Sequence, residues 1–157
     1  MTPETGIVVL GPGEGKETLD VFGGEIVIEA DGADTRSAYA LLQMSAPGEE
    51  TPPREAFPPA HVHHQEEEGW FILEGTFVFQ VGDRTFEAGA GSFVLAPRGT
   101  VHTLWATGPQ PHRWLTIFSP SGMEGYFREF AHHLHLYQNA SMDEIQALAR
   151  KYHFEFV

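Results

Sequence analysis

The sequence predicts a mainly β protein, a small sandwich or barrel carrying a short helical appendage toward its C-terminal end. Three observations carry this expectation. Between about Ile7 and Ser119 the chain divides into short apolar runs, several alternating with period two, set apart by glycine, proline and aspartate. Such closely spaced short strands fit a sandwich or barrel better than alternating α/β units. After Pro120 the apolar residues fall instead at helical spacing.

In chain order the predicted strands are Ile7–Leu10, Glu25–Ala30, Ala38–Met44, Ala60–His64, Trp70–Leu73, Thr76–Val81, Arg84–Glu87, Ser92–Leu95, Val101–Ala106 and Arg113–Phe118. Thr76-Phe-Val-Phe-Gln-Val81 followed by Gly82-Asp83 is the clearest hairpin signal. The stretch from Pro47 to Pro59 also holds Pro52, Pro53 and Pro58. Proline lacks an N–H and fixes φ, so this stretch reads as a surface loop leading into a histidine-rich strand. Met123–Leu136 is predicted helical, with Tyr126, Phe127, Phe130, Leu134 and Tyr137 at helical spacing. Ser141-Met-Asp-Glu144 is a capping box, and it opens a second helix whose Ile145, Leu148 and Tyr152 share a face. The expected organisation is one domain, with a barrel over residues 1–120 and helices packed on it over 121–157.

Bulk properties narrow the function. A chain of 157 residues with 41% hydrophobic content can bury a core without disulfides, and it has no cysteine. Any metal must therefore sit on nitrogen and oxygen ligands. The net charge of −13 repels phosphate backbones and argues against nucleic acid as a partner. No run of 18 apolar residues exists, so no membrane span is expected. The start, Met1-Thr-Pro-Glu-Thr-Gly6, lacks a basic region and an apolar core, so a secretory signal is not expected either. The expectation is a cytoplasmic protein acting on a small molecule.

The nine histidines carry the chemistry. His61 and His63 stand two apart on a predicted strand, so both rings leave the same face. Glu68 lies across a short turn at the start of the next strand, and His102 follows Pro97-Arg-Gly99. Three neutral imidazoles and a carboxylate suit a borderline divalent metal. His64 has the opposite parity and is expected outside this set. The cluster His132-His133-Leu134-His135 falls on a helix, where positions two apart diverge, and His112 and His153 read as surface or packing residues. Gly11-Pro-Gly-Glu-Gly-Lys16 lacks the spacing of a phosphate loop, and no Gly-x-Ser-x-Gly elbow is present.

These residues resemble the two motifs of the cupin superfamily. His61-Val-His63, four residues, Glu68, six residues and Gly75 match the first. Gly91, five residues, Pro97-Arg-Gly99, two residues and His102 match the second. Two departures occur: Ala106 stands where the second motif usually has asparagine, and Glu55 where the first usually opens with glycine. The resemblance implies a jelly-roll β-barrel with one divalent transition metal ion per chain (nickel, iron, manganese, cobalt, copper or zinc) on His61, His63, Glu68 and His102. The run from His61 to Gly75, with Val94-Leu-Ala-Pro-Arg-Gly-Thr-Val-His102 and Ile117-Phe-Ser-Pro120, is most similar to small bacterial cupins of the quercetin 2,3-dioxygenase-like kind. That similarity implies a dioxygenase in which a substrate enolate meets the metal, Glu68 takes the proton and dioxygen attacks the ring. It also implies a homodimer through paired or exchanged edge strands, for which Ile7–Leu10 is a candidate.

Strand parity suggests Trp70, Ile72, Phe93 and Leu104 as the lining of a substrate pocket, with Phe77, Phe79, Trp105, Trp114 and Phe118 as further candidates. A fold alone does not fix a reaction. A metal-dependent isomerase or cyclase of a small carbonyl compound, and a metal or small-ligand binding module without catalysis, are the alternatives.

Overall fold

Alternation of apolar and polar side chains produces two antiparallel sheets, and the residues that break it place the helices. The computed structural model describes residues 6–21, 24–47, 58–137 (backbone only at 134–137) and 141–157. In order these form β1 Glu17–Val21, β2 Gly24–Ala30, α1 Gly32–Thr35, β3 Ala40–Ala46, β4 His61–His63, β5 Glu67–Glu74, β6 Thr76–Val81, β7 Arg84–Gly89, β8 Phe93–Ala96, β9 His102–Thr107, β10 His112–Ser119, α2 Met123–Tyr137, α3 Met142–Lys151 and β11 Phe154–Phe156. One sheet has the order β1-β2-β3-β10-β5-β8 and the other β11-β4-β9-β6-β7. This is the mainly β barrel with C-terminal helices that the sequence predicts.

Half of the interior is a layer between the sheets. Trp70, Ile72, Val94 and Ala96 from the six-stranded sheet meet Phe77, Phe79, Ala88 and Leu104 from the five-stranded one. The other half lies under the helices. Ile26, Ile28, Ala40, Leu42 and Phe118 pack against Met123, Tyr126 and Phe130 of α2, Ala149 of α3 and Phe154 of β11. Register links the two halves: Trp70 is opposite Thr116, Thr116 opposite Leu42, and Leu42 opposite Ile28. Cross-strand partners point the same way, so the helices cover the same inner face as the five-stranded sheet and continue its layer. They close one end of the barrel.

The Ile7–Leu10 strand is not formed. Ile7 is 85% and Val9 84% exposed, and no strand among the described residues pairs with them. Four consecutive apolar residues with no partner surface have nothing to bury against. The first strand is β1 instead, where Leu19 and Val21 face inward among Glu17, Thr18 and Asp20, a pattern too polar to read as a strand. β11 was equally hidden, because three residues cannot display a period. The proline-rich loop over 48–57 with Glu55, residues 1–5, and the side chains of Leu134 and Tyr137 lie outside the described residues. No described helix is long and apolar enough to cross a membrane.

The junction between β2 and β3 is held by charge. Asp31 caps α1 by accepting from Ala33 N, and Asp34 returns the contact to Asp31 N at 3.0 Å. Its carboxylate also meets Lys16 at 3.0 Å and Arg128 of α2 at 3.0 Å, tying the N-terminal hairpin to the helical layer. Burial raises the Asp31 pKa, but hydrogen bonds from Lys16, Arg128 and the Ala33 amide outweigh it and leave the carboxyl far below its usual range. Asp31→Ala should cost about 2 kcal/mol at pH 7, combining a lost cap with lost charged hydrogen bonds. Because the folded pKa is depressed, the contribution is complete above the unfolded value of about 4 and fades as pH falls toward the folded value. Urea titrations of wild type and variant should therefore begin to draw together below about pH 4 and still differ at about pH 2.

Candidate metal centre

The four expected ligands arrive from both sheets. His61 and His63 sit on β4, His102 is directly opposite His61 on β9, and Glu68 comes from β5 across the barrel. All four are buried, and one ligand atom from each lies within 4.8 Å of the other three. Glu68 Oε2 stands 2.9 Å from His102 Nε2, 3.1 Å from His63 Nε2 and 3.9 Å from His61 Nε2. The cluster could therefore hold one metal ion.

The backbone aims two of the rings. His61 Nδ1 is 2.8 Å from Pro59 O and His102 Nδ1 is 2.9 Å from Thr100 O, each carbonyl two residues before its histidine. An Nδ1–H donated backward leaves Nε2 facing Glu68, where it donates to the carboxylate when protonated and becomes a metal ligand on losing that proton. The turn through Pro97 and Gly99 is also fastened to the first motif, since Gly99 N donates to His63 O at 2.8 Å. Gly75, the last residue of that motif, has φ +85, and a Cβ there would lie 2.4 Å from the His112 ring. Glycine is needed on both counts.

Without an ion, the site is organised by charge. Burial raises the Glu68 pKa, but the hydrogen bond with His102 and the close His61 and His63 rings outweigh it and hold the carboxyl well below the usual carboxylate range. Burial lowers His63, yet Glu66 and Glu68 overcome it and lift the ring to about 9. His61 goes the other way, because there burial exceeds the help from Glu68. A carboxylate and three imidazoles already drawn together this closely are a chemically apt donor set for a divalent cation.

Apolar rings seal the cluster. Trp70 meets His102 edge-on at 5.3 Å, and Phe118 and Phe154 lie 5.6 and 5.1 Å from His63. Phe154 and Phe156 belong to β11, which pairs with β4 in the register Phe154↔His63 and Phe156↔His61. The sequence reading missed this strand, and it also missed Glu66, which is buried behind His63. A signal for Glu66 was present in its spacing of three residues from His63 across a tight turn.

Of the proposed pocket residues, Trp70, Ile72 and Leu104 are buried facing the interior. Phe93 is not: it is 61% exposed. In β8 it is opposite Phe71, an outward position, whereas Val94 is opposite Trp70 and points in. A one-residue error in parity reverses the face of every side chain in a strand. Phe77, Phe79 and Phe118 are buried and Trp114 packs against the interior cluster, while Trp105 is opposite Val78 on the other face from Leu104. His64 stays outside the ligand set, 3.2 Å from Glu155. His112 is fully buried, with Nε2 2.9 Å from Thr107 O and its ring against Phe77, a packing role. His132 and His153 are exposed, and the loop at Gly11 closes on its own Glu14 at 2.6 Å.

Two facing sheets bring a His-x-His strand, a cross-barrel glutamate and a third histidine into one cluster that could hold a single metal ion. Residues 45–118 match the family described as Cupin domain. Solved structures agree on the fold. An RmlC-like cupin from Shewanella frigidimarina NCIMB 400 is 18% identical, covering 74% of this chain and 94% of its own, with a TM-score of 0.57. KdgF from Halomonas sp. is 19% identical, covering 69% and 92%, with a TM-score of 0.53. A variant of Bacillus subtilis oxalate decarboxylase is 21% identical over 68% of this chain and 28% of its own, with a TM-score of 0.55. No curated protein sequence matches.

Chelator-treated protein should take up one divalent ion per chain, measured by calorimetry. At free metal 100 times the dissociation constant the ion should stabilise the fold by about 2.7 kcal/mol. His102→Ala should abolish that gain in urea titrations.

Proposed function

We propose that this chain is a metal-dependent enzyme that deprotonates an enolisable small molecule, with dioxygenation of a flavonol-like aromatic as the specific reaction. The observation that carries the reading is the position of Glu68, within 3.1 Å of two imidazole nitrogens and buried on the barrel's inner face beside Trp70 and Ile72. A divalent ion on these residues would supply Lewis acidity to stabilise the substrate's anion. Glu68 is the group placed to take the proton. The imidazoles around it hold its pKa low, and a nearby dication would favour the charged carboxylate further, so a proton it takes must come from a substrate that the ion has acidified. Trp70 and Leu104 offer an apolar wall that excludes water from the deprotonated substrate.

The specific choice of dioxygenation rests on the resemblance of the His61–Gly75 run to quercetin 2,3-dioxygenase-like cupins. One observation favours the alternative of an isomerase or cyclase acting on a smaller carbonyl compound. Trp70, Ile72, Phe79 and Leu104 pack together in the interior, leaving close walls beside the ligands. Dioxygen uptake by the metal-loaded protein with flavonols and simpler enols separates the two. Uptake that requires metal and disappears in His102→Ala supports the dioxygenase. Anaerobic turnover of an enolisable carbonyl compound without uptake replaces it with the isomerase. Glu68→Gln should lower turnover by about 100-fold or more if the carboxylate moves the proton.

We further propose that the chain pairs with a second copy through the outer face of β5 and β8. Phe71, Phe93 and Leu95 are exposed together there, beside a strand edge that no described residue pairs. Phe93→Lys should shift sedimentation from dimer to monomer, and an unaltered monomeric wild type rejects the pairing.

A further inference from the structure

The three histidines are not held alike. His61 and His102 each direct Nδ1 to a carbonyl two residues back. Among the described residues, His63 Nδ1 is buried with no hydrogen-bond partner, and so is Glu66 Oε2. These two atoms face each other at 3.7 Å. Glu66 is only 4% exposed, an unusual position for a carboxylate. The bend at His64 and Gln65 folds Glu66 back to reach His63, and Gly122 lies on its other side. Phe118 and Phe154 flank the His63 ring, so this contact is shielded from water.

We propose that Glu66 is a positioning residue for the metal centre, holding His63 by its Nδ1–H from behind and supplying the centre's second negative charge. The inference rests on the metal reading given above. A buried carboxylate opposite an unpaired ring nitrogen has one available partner, and a small turn of either group brings 3.7 Å to hydrogen-bond distance. An imidazole donating Nδ1–H to a carboxylate is fixed in one tautomer and is a stronger ligand at Nε2 than one donating to a carbonyl. Charge adds to this. A divalent ion with Glu68 alone leaves one uncompensated positive charge in a buried site, and Glu66 cancels it. His63 thereby becomes the strongest of the three nitrogen donors.

Two substitutions divide the roles. Glu66→Gln keeps an acceptor but removes the charge; Glu66→Leu removes both while retaining bulk. Glu67→Gln is the control, because the Glu67 side chain is 44% exposed and its partner is Arg98 at 3.4 Å. Calorimetry with Co2+ and Ni2+ on full-length protein should show affinity falling about 10-fold for Glu66→Gln and about 100-fold for Glu66→Leu, with Glu67→Gln unchanged. Nitrogen NMR of the Ni2+-free and Zn2+-bound protein gives a second readout that packing alone does not move. The His63 Nδ1–H signal should be protected in wild type and Glu66→Gln and lost in Glu66→Leu. Affinities of both Glu66 variants within twofold of wild type, with the Nδ1–H signal retained, overturn the proposal while leaving the metal site standing. Failure of the unaltered chain to bind any divalent ion overturns the metal reading and this inference with it.

Discussion

The contact between Glu68 and the imidazoles of His61, His63 and His102 crosses the barrel from one sheet to the other. The rest of the site is arranged around it. Burying a carboxylate is costly unless it is paired, and here the partners come from two strands of the opposite sheet. β4 must then lie beside β9 in the register that sets His61 opposite His102. β5 must present Glu68, Trp70 and Ile72 to one side. The carbonyls of Pro59 and Thr100 aim two rings, and the Gly99 amide fastens one motif to the other. Each of these details serves to keep one charge surrounded.

Much of this could be read in the chain. His61 and His63 shared a face because strands have period two, and the resemblance to the first cupin motif, through its spacing to Gly75, singled out Glu68 from three glutamates in a row. The hairpin at Gly82-Asp83 formed between Thr76–Val81 and Arg84–Gly89, and the capping box at Ser141 opened its helix. What failed was local pattern without tertiary information. Ile7–Leu10 looked like a strand because it is apolar, yet no surface covers it. β1 did not look like one because only its inward residues are apolar. Phe93 was assigned to the wrong face because parity was counted from a strand boundary one residue off. Glu66 read as part of an acidic run, and only the fold shows which of three adjacent glutamates are buried.

The helices fill a place that strands hold elsewhere in the barrel. β1, β2 and β3 extend the six-stranded sheet beyond the reach of its five-stranded partner, exposing Ile26, Ile28 and Leu42 on the inner face. α2 and α3 cover that overhang with Met123, Tyr126, Phe130 and Ala149. Arg128, bridging Glu17 and Asp31, locks the same arrangement at its rim.

β11 joins these two halves. Gln146 of α3 exchanges two hydrogen bonds with the backbone of Phe156, and Phe156 is in turn paired with His61. β4 is only three residues long, so α3, β11 and the histidine strand should open and close as a single unit. Hydrogen exchange in α3 would then report on the ligands: an ion held by His61 and His63 would slow local opening of the helix two elements away. A substitution in that helix would in the same way loosen an ion's grip without altering any residue that holds it.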